Sequence, residues 1–548
     1  MNPKTLPRWT RATWTKVVGG AAGAALAVGA LGACGVVSSD AAESTTQSST
    51  SETTSQESAV VSSSSVGLTA AEVLAENLDA SETVALAEET WDTADEVAVD
   101  LSSPAAADGV EVDGDNVTIT QPGTYRLSGE LAGQVVVESA DDGVVRLVLD
   151  GADITSGTGA AIDVQDADQV SVVLADGSTN RLEDAAEYAE TDDSGSTDNA
   201  ANAALYSTAD MAISGSGSLE VVGNSNDGIT GKDGLVITSG TVTVDAVDDA
   251  IRGKDYLVVS GGTIDVTAGG DGLKSDEDSD ETAGYVALLG GDVTVAAGSD
   301  GVQGFTDVAV AGGTLTVTES EEGIEAAVIA ISDGTVDITS SDDGLNATVK
   351  EAEDDSAPTE SETESESTEE MAGPGGGGGE AVQEGASLTV TGGAVTVAAG
   401  GDGFDSNGVI EVSGGTVAIA ATSNGGEGAV DANGTVTSAN GWLTLDGSAD
   451  AGSTVTVLDA DGQEVASVVA GEVLSSLNVS ADGIVAGESY TVQVDGTDVG
   501  TATAEESIAT QMGGPGGGAP GDGQMPGGGQ PPADGEMPGG TASSDAGA

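Results

Sequence analysis

The sequence predicts an all-β fold, in which a parallel β-helix with rungs of about 22 residues is followed by a small C-terminal β cap. Three observations lead to this prediction. A short segment of alternating aliphatic and polar residues recurs along the middle of the chain, and acidic turns recur with it at a nearly constant spacing. Glycine, a residue of tight turns, supplies 84 of 548 residues. Aromatic residues make up only 2%, so the core must be aliphatic.

The recurring segment is a turn that ends in glycine, followed by a strand of period two. Its copies begin with turns such as Ser-Gly or Gly-Gly and occupy residues 239–244, 261–266, 290–295, 312–317, 333–338, 392–397 and 414–419. In stacked coils, Val242 would lie on Ile264, and Ile264 on Val293. One such unit cannot bury its apolar face alone, whereas a stack can. A propeller would need blades of roughly 40 residues or more, so the spacing favours a solenoid.

Acidic residues recur with the same period. They are Asp227, Asp249, Asp271, Asp300, Glu322, Asp343 and Asp402. The steps between them are 22, 22, 29, 22, 21 and 59 residues, where the two long steps contain a loop at 275–282 and a low-complexity insert. Two positions after each acid comes an apolar residue, which predicts a second inward-facing column: Ile229, Ile251, Leu273, Val302, Ile324, Leu345 and Phe404.

Composition divides the chain into five parts. Residues 1–33 are a signal segment, 34–105 a Ser- and Thr-rich tether with possible short helices, and 106–440 the parallel β-helix, which carries the low-complexity insert at 350–386. Residues 441–505 alternate as short antiparallel strands and are interpreted as a small C-terminal β-domain. Residues 506–548 form a Gly-, Pro- and Met-rich tail that we expect to be disordered.

The N-terminus predicts a lipid anchor. A basic segment, an apolar stretch too short for a good membrane span, and small residues come in that order before Cys34, the only cysteine. This arrangement resembles the bacterial lipobox, whose cysteine is lipidated. We therefore expect a monomeric lipoprotein on the extracellular face of the membrane, in contact with the bilayer through its N-terminal lipid only.

Charge excludes several classes of function. The chain carries 12 basic and 94 acidic residues and no histidine, so its formal net charge is −82. Removal of the signal segment would leave 8 basic residues and a charge near −86. Such a surface repels nucleic acid. The absence of histidine excludes Ser-His-Asp and Cys-His catalysis and His-ligated metal sites.

Stacked acids predict calcium. Carboxylates about 4.8 Å apart on adjacent coils repel by roughly 1 kcal/mol in water and by roughly 3–4 kcal/mol at an effective dielectric of 20. Calcium accepts several oxygen ligands with flexible geometry and would relieve this repulsion. The candidate ligands are Asp227, Asp248, Asp249, Asp271, Asp300, Asp342 and Asp343, with Asp276, Asp278 and Asp280 in a second, loop cluster that also contains Glu277. The alternative is that each Asp before Gly is a turn residue that caps its own backbone.

Several segments resemble a known family. Residues 117–129 (Val-Thr-Ile-Thr-Gln-Pro-Gly-Thr-Tyr-Arg-Leu-Ser-Gly), 147–154, 226–229, 253–255, 269–275, 342–346 and 487–492 resemble, in order, the carbohydrate-binding domain-containing family of bacterial surface proteins. The resemblance implies a pectate-lyase-like, right-handed parallel β-helix, bound calcium, and binding of polysaccharides such as polygalacturonate or cellulose. It does not imply an established enzymatic activity.

The ligand class follows from charge. An acidic protein would hold an anionic polysaccharide through shared calcium, whereas neutral glucans are usually bound by aromatic platforms. The repeat contains only Tyr256, Tyr285, Phe305 and Phe404, and Phe404 falls in the inward column. We therefore expect an acidic, polygalacturonate-like ligand.

Two alternatives remain. A calcium-dependent polysaccharide lyase would need a basic residue to remove a proton, and Arg252 and Lys274 occupy equivalent positions three residues after Asp249 and Asp271. Lys232 and Lys254 also repeat, and all of these cations could instead neutralise neighbouring acids. The other alternative is a structural adhesin without glycan specificity, which would be stabilised by calcium but would retain no glycan.

Overall fold

The computed structural model describes residues 67–188, 201–350, 381–421, 428–469 and 474–508. Cys34, the signal segment, nearly all of the 350–386 insert and nearly all of the 506–548 tail lie outside these residues. Within the described ranges the chain is nearly all β, with two short α-helices and one 3₁₀ turn. No helix in those ranges is long and apolar enough to cross a membrane.

The secondary-structure elements are short and numerous. The first are α1 (Ala70–Leu74), α2 (Ser81–Glu88), the 3₁₀ turn (Thr93–Asp95), β1 (Val97–Asp100), β2 (Val110–Asp113), β3 (Asn116–Ile119), β4 (Gly123–Leu131), β5 (Val135–Glu138), β6 (Val144–Thr155), β7 (Ile162–Asp166), β8 (Gln169–Leu174) and β9 (Thr179–Glu183). The repeat follows with β10 (Ala203–Ser207), β11 (Met211–Gly215), β12 (Ser218–Gly223), β13 (Asp227–Gly231), β14 (Gly234–Ile237), β15 (Thr241–Ala246), β16 (Ile251–Gly253), β17 (Tyr256–Val259), β18 (Thr263–Ala268), β19 (Leu273–Ser275), β20 (Tyr285–Leu288) and β21 (Asp292–Ala296).

Further coils and the C-terminal strands complete the described chain. They are β22 (Val302–Gly304), β23 (Asp307–Val310), β24 (Thr314–Glu319), β25 (Ile324–Ala326), β26 (Val328–Ile331), β27 (Thr335–Ser340), β28 (Leu345–Ala347), β29 (Ser387–Val390), β30 (Ala394–Ala399), β31 (Phe404–Ser406), β32 (Val409–Val412), β33 (Thr416–Ala421), β34 (Val436–Ser438), β35 (Trp442–Ala449), β36 (Thr454–Leu458), β37 (Glu464–Val469), β38 (Leu474–Ala481), β39 (Ser489–Val494) and β40 (Thr497–Thr503).

Each coil of the repeat adds a strand to each of three parallel ladders. Ladder A joins β8, β11, β14, β17, β20, β23, β26, β29, β32 and β34. Ladder B joins β9, β12, β15, β18, β21, β24, β27, β30 and β33. Ladder C joins β3, β5, β7, β10, β13, β16, β19, β22, β25, β28 and β31. The long parallel sheets confirm the stacking of equivalent repeat segments.

The register matches both predicted inward columns. Val242 pairs with Ile264, and Ile264 with Val293, in ladder B. In ladder C, Ile229 pairs with Ile251, and the column continues to a fully buried Phe404. The inward residues of all three ladders belong to one hydrophobic cluster, so a single aliphatic core serves the whole stack.

A glycine with positive φ precedes each ladder B strand from β15 to β33. Gly313 has φ +80°, and a Cβ there would lie 2.6 Å from the carbonyl oxygen of Gly291 on the preceding coil. Equivalent glycines, such as Gly291 and Gly334, also have positive φ. A side chain would therefore be strained and would also push the coils apart.

The C-terminal strands pair in antiparallel fashion. β38 pairs antiparallel with both β33 and β35, which joins the cap to ladder B. Strands β37, β36, β39 and β40 form a separate antiparallel sheet in that order. This region has its own apolar cluster, which includes Val457, Val479 and Tyr490.

Residues 67–100, here named the strap, pack along ladder A although the sequence analysis placed them in a tether. The Ala70 N–H donates to Ser332 Oγ at 2.8 Å, and Tyr285 donates to the Leu78 carbonyl at 2.8 Å. Further along, β1 pairs with β4. The strap therefore runs against the order of the coils. It packs because its apolar residues, among them Val84, lie on apolar residues of ladder A.

Candidate functional site

The short strands of ladder C position a row of side chains on its outer surface. In β16, β19, β22, β25, β28 and β31 the first and third residues are buried and the middle residue is partly exposed. Pairing places these middle residues on successive coils. We name this row the outer row; it comprises Arg252, Lys274, Gln303, Glu325, Asn346 and Asp405.

The predicted ladder acids lie beside the outer row, three residues earlier in each coil. One carboxylate oxygen is used by the fold: Asp249 Oδ1 accepts the N–H of Asp271 at 2.9 Å, and Asp271 Oδ1 accepts the N–H of Asp300 at 3.0 Å. Asp343 Oδ1 accepts the N–H of Asp402 at 2.7 Å. These three acids are therefore turn residues, but each uses one oxygen to cap the following coil rather than its own.

In the first coils these second oxygens meet basic residues. Lys274 Nζ lies 3.0 Å from Asp249 Oδ2 and 2.9 Å from Asp271 Oδ2. Burial opposes the charged ammonium, but the two carboxylates outweigh it and raise the pKa of Lys274. The contacts of Lys274 therefore favour a neutralising role over that of a lyase base.

Arg252 is also committed to an ion pair. Its Nε donates to Asp276 Oδ1 at 3.0 Å, its Nη2 bonds to Asp276 Oδ2, and its Nη1 lies 3.9 Å from Asp227 Oδ2. Burial opposes its charge, but Asp276 raises the pKa of the guanidinium. The structure therefore favours neutralisation of neighbouring acids over proton abstraction for both residues proposed in the lyase alternative.

The acids of the 276–280 loop have separate partners. Asp276 pairs with Arg252, and Glu277 Oε2 lies 2.9 Å from Lys254 Nζ. Asp280 Oδ1 accepts the N–H of Thr282 at 3.0 Å and so caps its own turn. Asp278 is partly exposed. In the described chain this loop does not form a group of three carboxylates within 4.8 Å of one another.

Asp248 and Asp342 also lie away from the outer row. Both side chains are exposed in the turns that precede ladder C. A Cβ at Gly270 would lie 2.5 Å from Asp248 Oδ1, and one at Gly401 would lie 2.6 Å from Asp342 Oδ1. Asp248 and Asp342 therefore lie against Gly270 and Gly401, whose lack of a side chain leaves room for the carboxylates.

The later coils bring three carboxylates together. Oxygens of Asp300, Glu322 and Glu325 lie within 4.8 Å of one another, and we name this group the central acidic cluster. Burial, followed by Asp271 and Glu325, raises the pKa of Asp300 to about 9. Burial, followed by Glu325, raises the pKa of Glu322 to about 8. The cluster is therefore unfavourable as a set of three bare anions.

The partners of this cluster balance only part of its charge. Gln303 Nε2 donates to Asp300 Oδ2 at 2.9 Å, and Asn346 Nδ2 donates to the two Glu322 oxygens at 2.9 and 3.1 Å. Lys350 forms an ion pair with Glu325. Asn346 Oδ1 is buried and has no hydrogen-bond partner within the described ranges. The three carboxylates offer hard oxygen ligands, which fit a divalent cation such as calcium.

A second group lies further along ladder C. Oxygens of Asp402, Asp405 and Asp431 lie within 4.8 Å of one another, and we name this group the terminal acidic cluster. Burial, followed by Asp343 and Asp402, raises the pKa of Asp405 to about 7. It combines the ladder acid Asp402 and the outer-row acid Asp405 with Asp431, which follows Val430, the bridge partner of Phe404.

Sequence reasoning missed some members of both clusters. Glu322 and Asp402 were recognised as ladder acids but were not assigned as ligands, whereas Glu325, Asp405 and Asp431 were not considered. The missing signal was present in the spacing: the position three residues after the ladder acid, which identified Arg252 and Lys274, also identifies Glu325 and Asp405.

The aromatic residues of the repeat do not form an exposed platform. The rings of Tyr256 and Tyr285 stack with centroids 5.6 Å apart, and both residues are buried beneath the strap. Phe404 is fully buried in the core. Only Phe305 is partly exposed among the four aromatics of the repeat.

Part of the chain is similar to proteins described as carbohydrate-binding. Residues 113–354 match a family model described as "Carbohydrate-binding domain-containing protein". A protein of Acetivibrio thermocellus with the same description is 38% identical over 140 residues, which are 25% of this chain and 48% of that protein. Both findings support a carbohydrate-binding domain-containing family. The chain thus spans about half the length of this curated relative.

A solved structure is also similar to part of the chain. It is described as the polysaccharide lyase-like protein from C. thermocellum, gadolinium derivative. The two are 34% identical with a TM-score of 0.41, and the match covers 43% of this chain and 96% of that one.

Proposed function

We propose that this protein binds acidic polysaccharide at ladder C through calcium ions held by its carboxylates. The observation that carries the proposal is the central acidic cluster, where Asp300, Glu322 and Glu325 converge within 4.8 Å. The matched family supports the carbohydrate-binding role, and the chemistry of the donor set supports calcium.

Calcium suits this cluster because it accepts six to eight oxygen ligands and tolerates irregular geometry. Asp300, Glu322 and Glu325 would supply carboxylate oxygens to the ion. The Lys350 ion pair reduces the charge at Glu325. A calcium ion held here would offset the remaining negative charge of the central acidic cluster.

The ligand class follows from the same charge argument. A chain of net charge −82 repels polyuronates, so direct contact between acidic surfaces is unfavourable. Calcium whose coordination shell is shared between protein and sugar carboxylates would convert this repulsion into binding. The buried positions of Tyr256, Tyr285 and Phe404 leave little aromatic surface for neutral glucans, which favours the acidic ligand.

We also propose the finer architecture and the location. The three ladders would wrap around their common core as a right-handed parallel β-helix. Cys34 would carry a lipid that anchors the monomer to the extracellular face of the membrane. Both statements extend the sequence interpretation and support a role at the cell surface.

Calcium binding is tested by calorimetric titration of the chelator-treated protein. We expect saturable calcium binding in the parent, and a loss of at least one site in Glu322→Gln. Asp265→Asn provides a matched control, because it removes one exposed carboxylate from ladder B. Equal binding by parent and Glu322→Gln would contradict the assignment of the central acidic cluster.

Polysaccharide binding is tested by retention on immobilised polygalacturonate. We expect retention in calcium, release by a chelator, and weaker retention of methyl-esterified polymer because it lacks the carboxylates. Retention that is unchanged by the chelator would contradict the bridging mechanism. Calcium-dependent melting without retention on any glycan would instead identify a structural adhesin.

A further inference from the structure

Four basic residues gather on three successive coils of ladder C and its following turns. They are Lys232, Arg252, Lys254 and Lys274. Three of them form the ion pairs described above with Asp276, Glu277 and the Asp249–Asp271 pair. Lys232 is different, because its ammonium group has no ion pair or hydrogen bond with any residue in the described ranges.

The backbone fixes the position of Lys232. Its N–H donates to the Ser207 carbonyl at 2.8 Å, and the Lys254 N–H donates to the Gly231 carbonyl at 2.9 Å. Lys232 and Lys254 therefore lie at equivalent points on successive coils, about 4.8 Å apart along the stack. Arg252 lies two residues before Lys254 and is close enough to act electrostatically on Lys232.

The neighbouring acids Asp227 and Asp276 make their hydrogen bonds and ion pairs with other residues of the described chain. Asp227 Oδ2 accepts hydrogen bonds from Asn202 and Thr230, each at 2.8 Å. Asp276 is paired with Arg252. Burial, followed by the charges of Arg252 and Lys254, lowers the pKa of Lys232 although Asp227 and Asp276 oppose the shift. The ammonium is therefore partly desolvated and lies near two cations and two anions, with none of which it forms an ion pair in the described chain.

An unpaired cation is unexpected in a chain with 94 acidic residues. A partly buried ammonium without an anion has lost part of its hydration without compensation. An incoming oxyanion would supply that compensation, and Arg252 and Lys254 would add to the attraction through their charges. Lysine bonds to carboxylates through charge-assisted hydrogen bonds, which are stronger than neutral ones.

We propose that Lys232, supported by Arg252 and Lys254, forms a subsite that binds the carboxylate of a uronic acid residue directly, without calcium. This subsite rests on the proposed function, because it contacts the same acidic polysaccharide. It lies three coils from Asp300, since β13, β16, β19 and β22 are consecutive in ladder C. A polymer along ladder C would thus meet a direct cationic contact before a calcium-mediated one.

The test compares binding of short oligogalacturonides in calcium by calorimetry. We expect Lys232→Gln to weaken affinity roughly tenfold, which is the size of one lost charge-assisted contact, and Lys232→Arg to retain most of it. Arg181→Gln is the matched control: it removes the same charge, but Arg181 lies on ladder B in ion pairs with Glu183 and Glu220, so affinity should not change. Methyl-esterified oligosaccharide should bind the parent and Lys232→Gln equally.

A second measurement separates this subsite from the calcium proposal. Galacturonate is titrated into ¹³Cε-lysine-labelled protein in chelator, and the Lys232 signal is assigned by its absence in Lys232→Gln. A saturable shift of that signal, with a rise in the pKa of Lys232, supports the subsite even if calcium-dependent retention fails. A Lys232 signal that does not respond, or oligogalacturonide affinity unchanged in Lys232→Gln, overturns the subsite while leaving the calcium proposal intact.

Discussion

At the scale of single residues, the aspartates of ladder C have two functions because a carboxylate has two oxygens. Asp271 uses Oδ1 to accept a backbone N–H from the next coil and Oδ2 to pair with Lys274. The turn role could be predicted from Asp-Gly and its period. The partner of the second oxygen could not, because it depends on the outer-row residue of a neighbouring coil.

Removal of the Lys274 charge should destabilise the protein. Lys274→Met leaves Asp249 and Asp271 buried without a shared cation, and we expect a loss of about 3 kcal/mol in the free energy of unfolding. Lys254→Met breaks a single, more exposed pair with Glu277 and should cost about 1 kcal/mol or less. Chemical denaturation measures both.

A double variant checks the cause of that loss. Asp271→Asn keeps an oxygen for the Asp300 N–H but removes one negative charge, so it should recover part of the stability lost in Lys274→Met. Equal stability of the two single lysine variants would show that Lys274 is not held by its carboxylates.

The central acidic cluster should make the calcium-free protein less stable as pH rises. Asp300 has a pKa of about 9 and Glu322 of about 8 in the folded chain, against 3.8 and 4.5 for the ordinary groups. Between these values the folded state holds more protons than the unfolded state, so the free energy of unfolding falls from pH 5 to pH 9. Each tenfold change in the acid dissociation constant of an isolated group corresponds to about 1.4 kcal/mol.

The measurement is the melting temperature in chelator across that pH range. Asp300→Asn should flatten the fall, because it removes the group whose pKa is raised furthest, and saturating calcium should oppose the fall in the parent. Asp265→Asn should leave the slope unchanged. A melting temperature that rises throughout this range in chelator would contradict the burial of these acids.

At the scale of elements, the three ladders could be predicted in large part because their signals are local and repeated. The Gly-Thr-Val-Thr-Val pattern predicted ladder B, and the apolar residue after each acid predicted the inward column of ladder C. The strap could not be assigned in the same way. Its partners on ladder A are distant in the sequence, as in the pair of Ala70 and Ser332, and they contribute no local pattern.

Close coil contact at the ladder B glycines is testable by substitution. Gly313→Ala places a Cβ 2.6 Å from the Gly291 oxygen, whereas Gly177 has a similar φ of +69° and nothing within 4 Å. We expect Gly177→Ala to cost about 1 kcal/mol from backbone strain, and Gly313→Ala roughly 1–3 kcal/mol more from the clash. Equal losses in denaturation would show that coil separation does not limit this position.

At the scale of the whole molecule, ladder C changes character along the stack. Early coils carry Arg252 and Lys274, while later coils carry Glu325 and Asp405 at equivalent positions. The net charge of the chain could be predicted from its composition. The separation of basic from acidic coils could not, because it depends on which residues face outward. The basic early coils correspond to the proposed direct contact with the polysaccharide, and the acidic later coils correspond to the proposed calcium-mediated contact.

Net charge predicts a specific response to ions. Sodium chloride should raise the melting temperature by screening repulsion among 94 acidic residues. Calcium at matched ionic strength should raise it further, because binding to the folded state adds a mass-action contribution. Equal shifts for the two salts would indicate screening alone, and scanning calorimetry distinguishes the two results.

The reversed course of the strap constrains the order of assembly. The hydrogen bond between Ala70 and Ser332 cannot form until Ser332, 262 residues further along the chain, has been synthesised. During synthesis, Leu78 and Val84 would therefore remain uncovered until the coils that receive them have formed. Closure of so long a loop is slow, which makes docking of the strap a late event in the maturation of the protein.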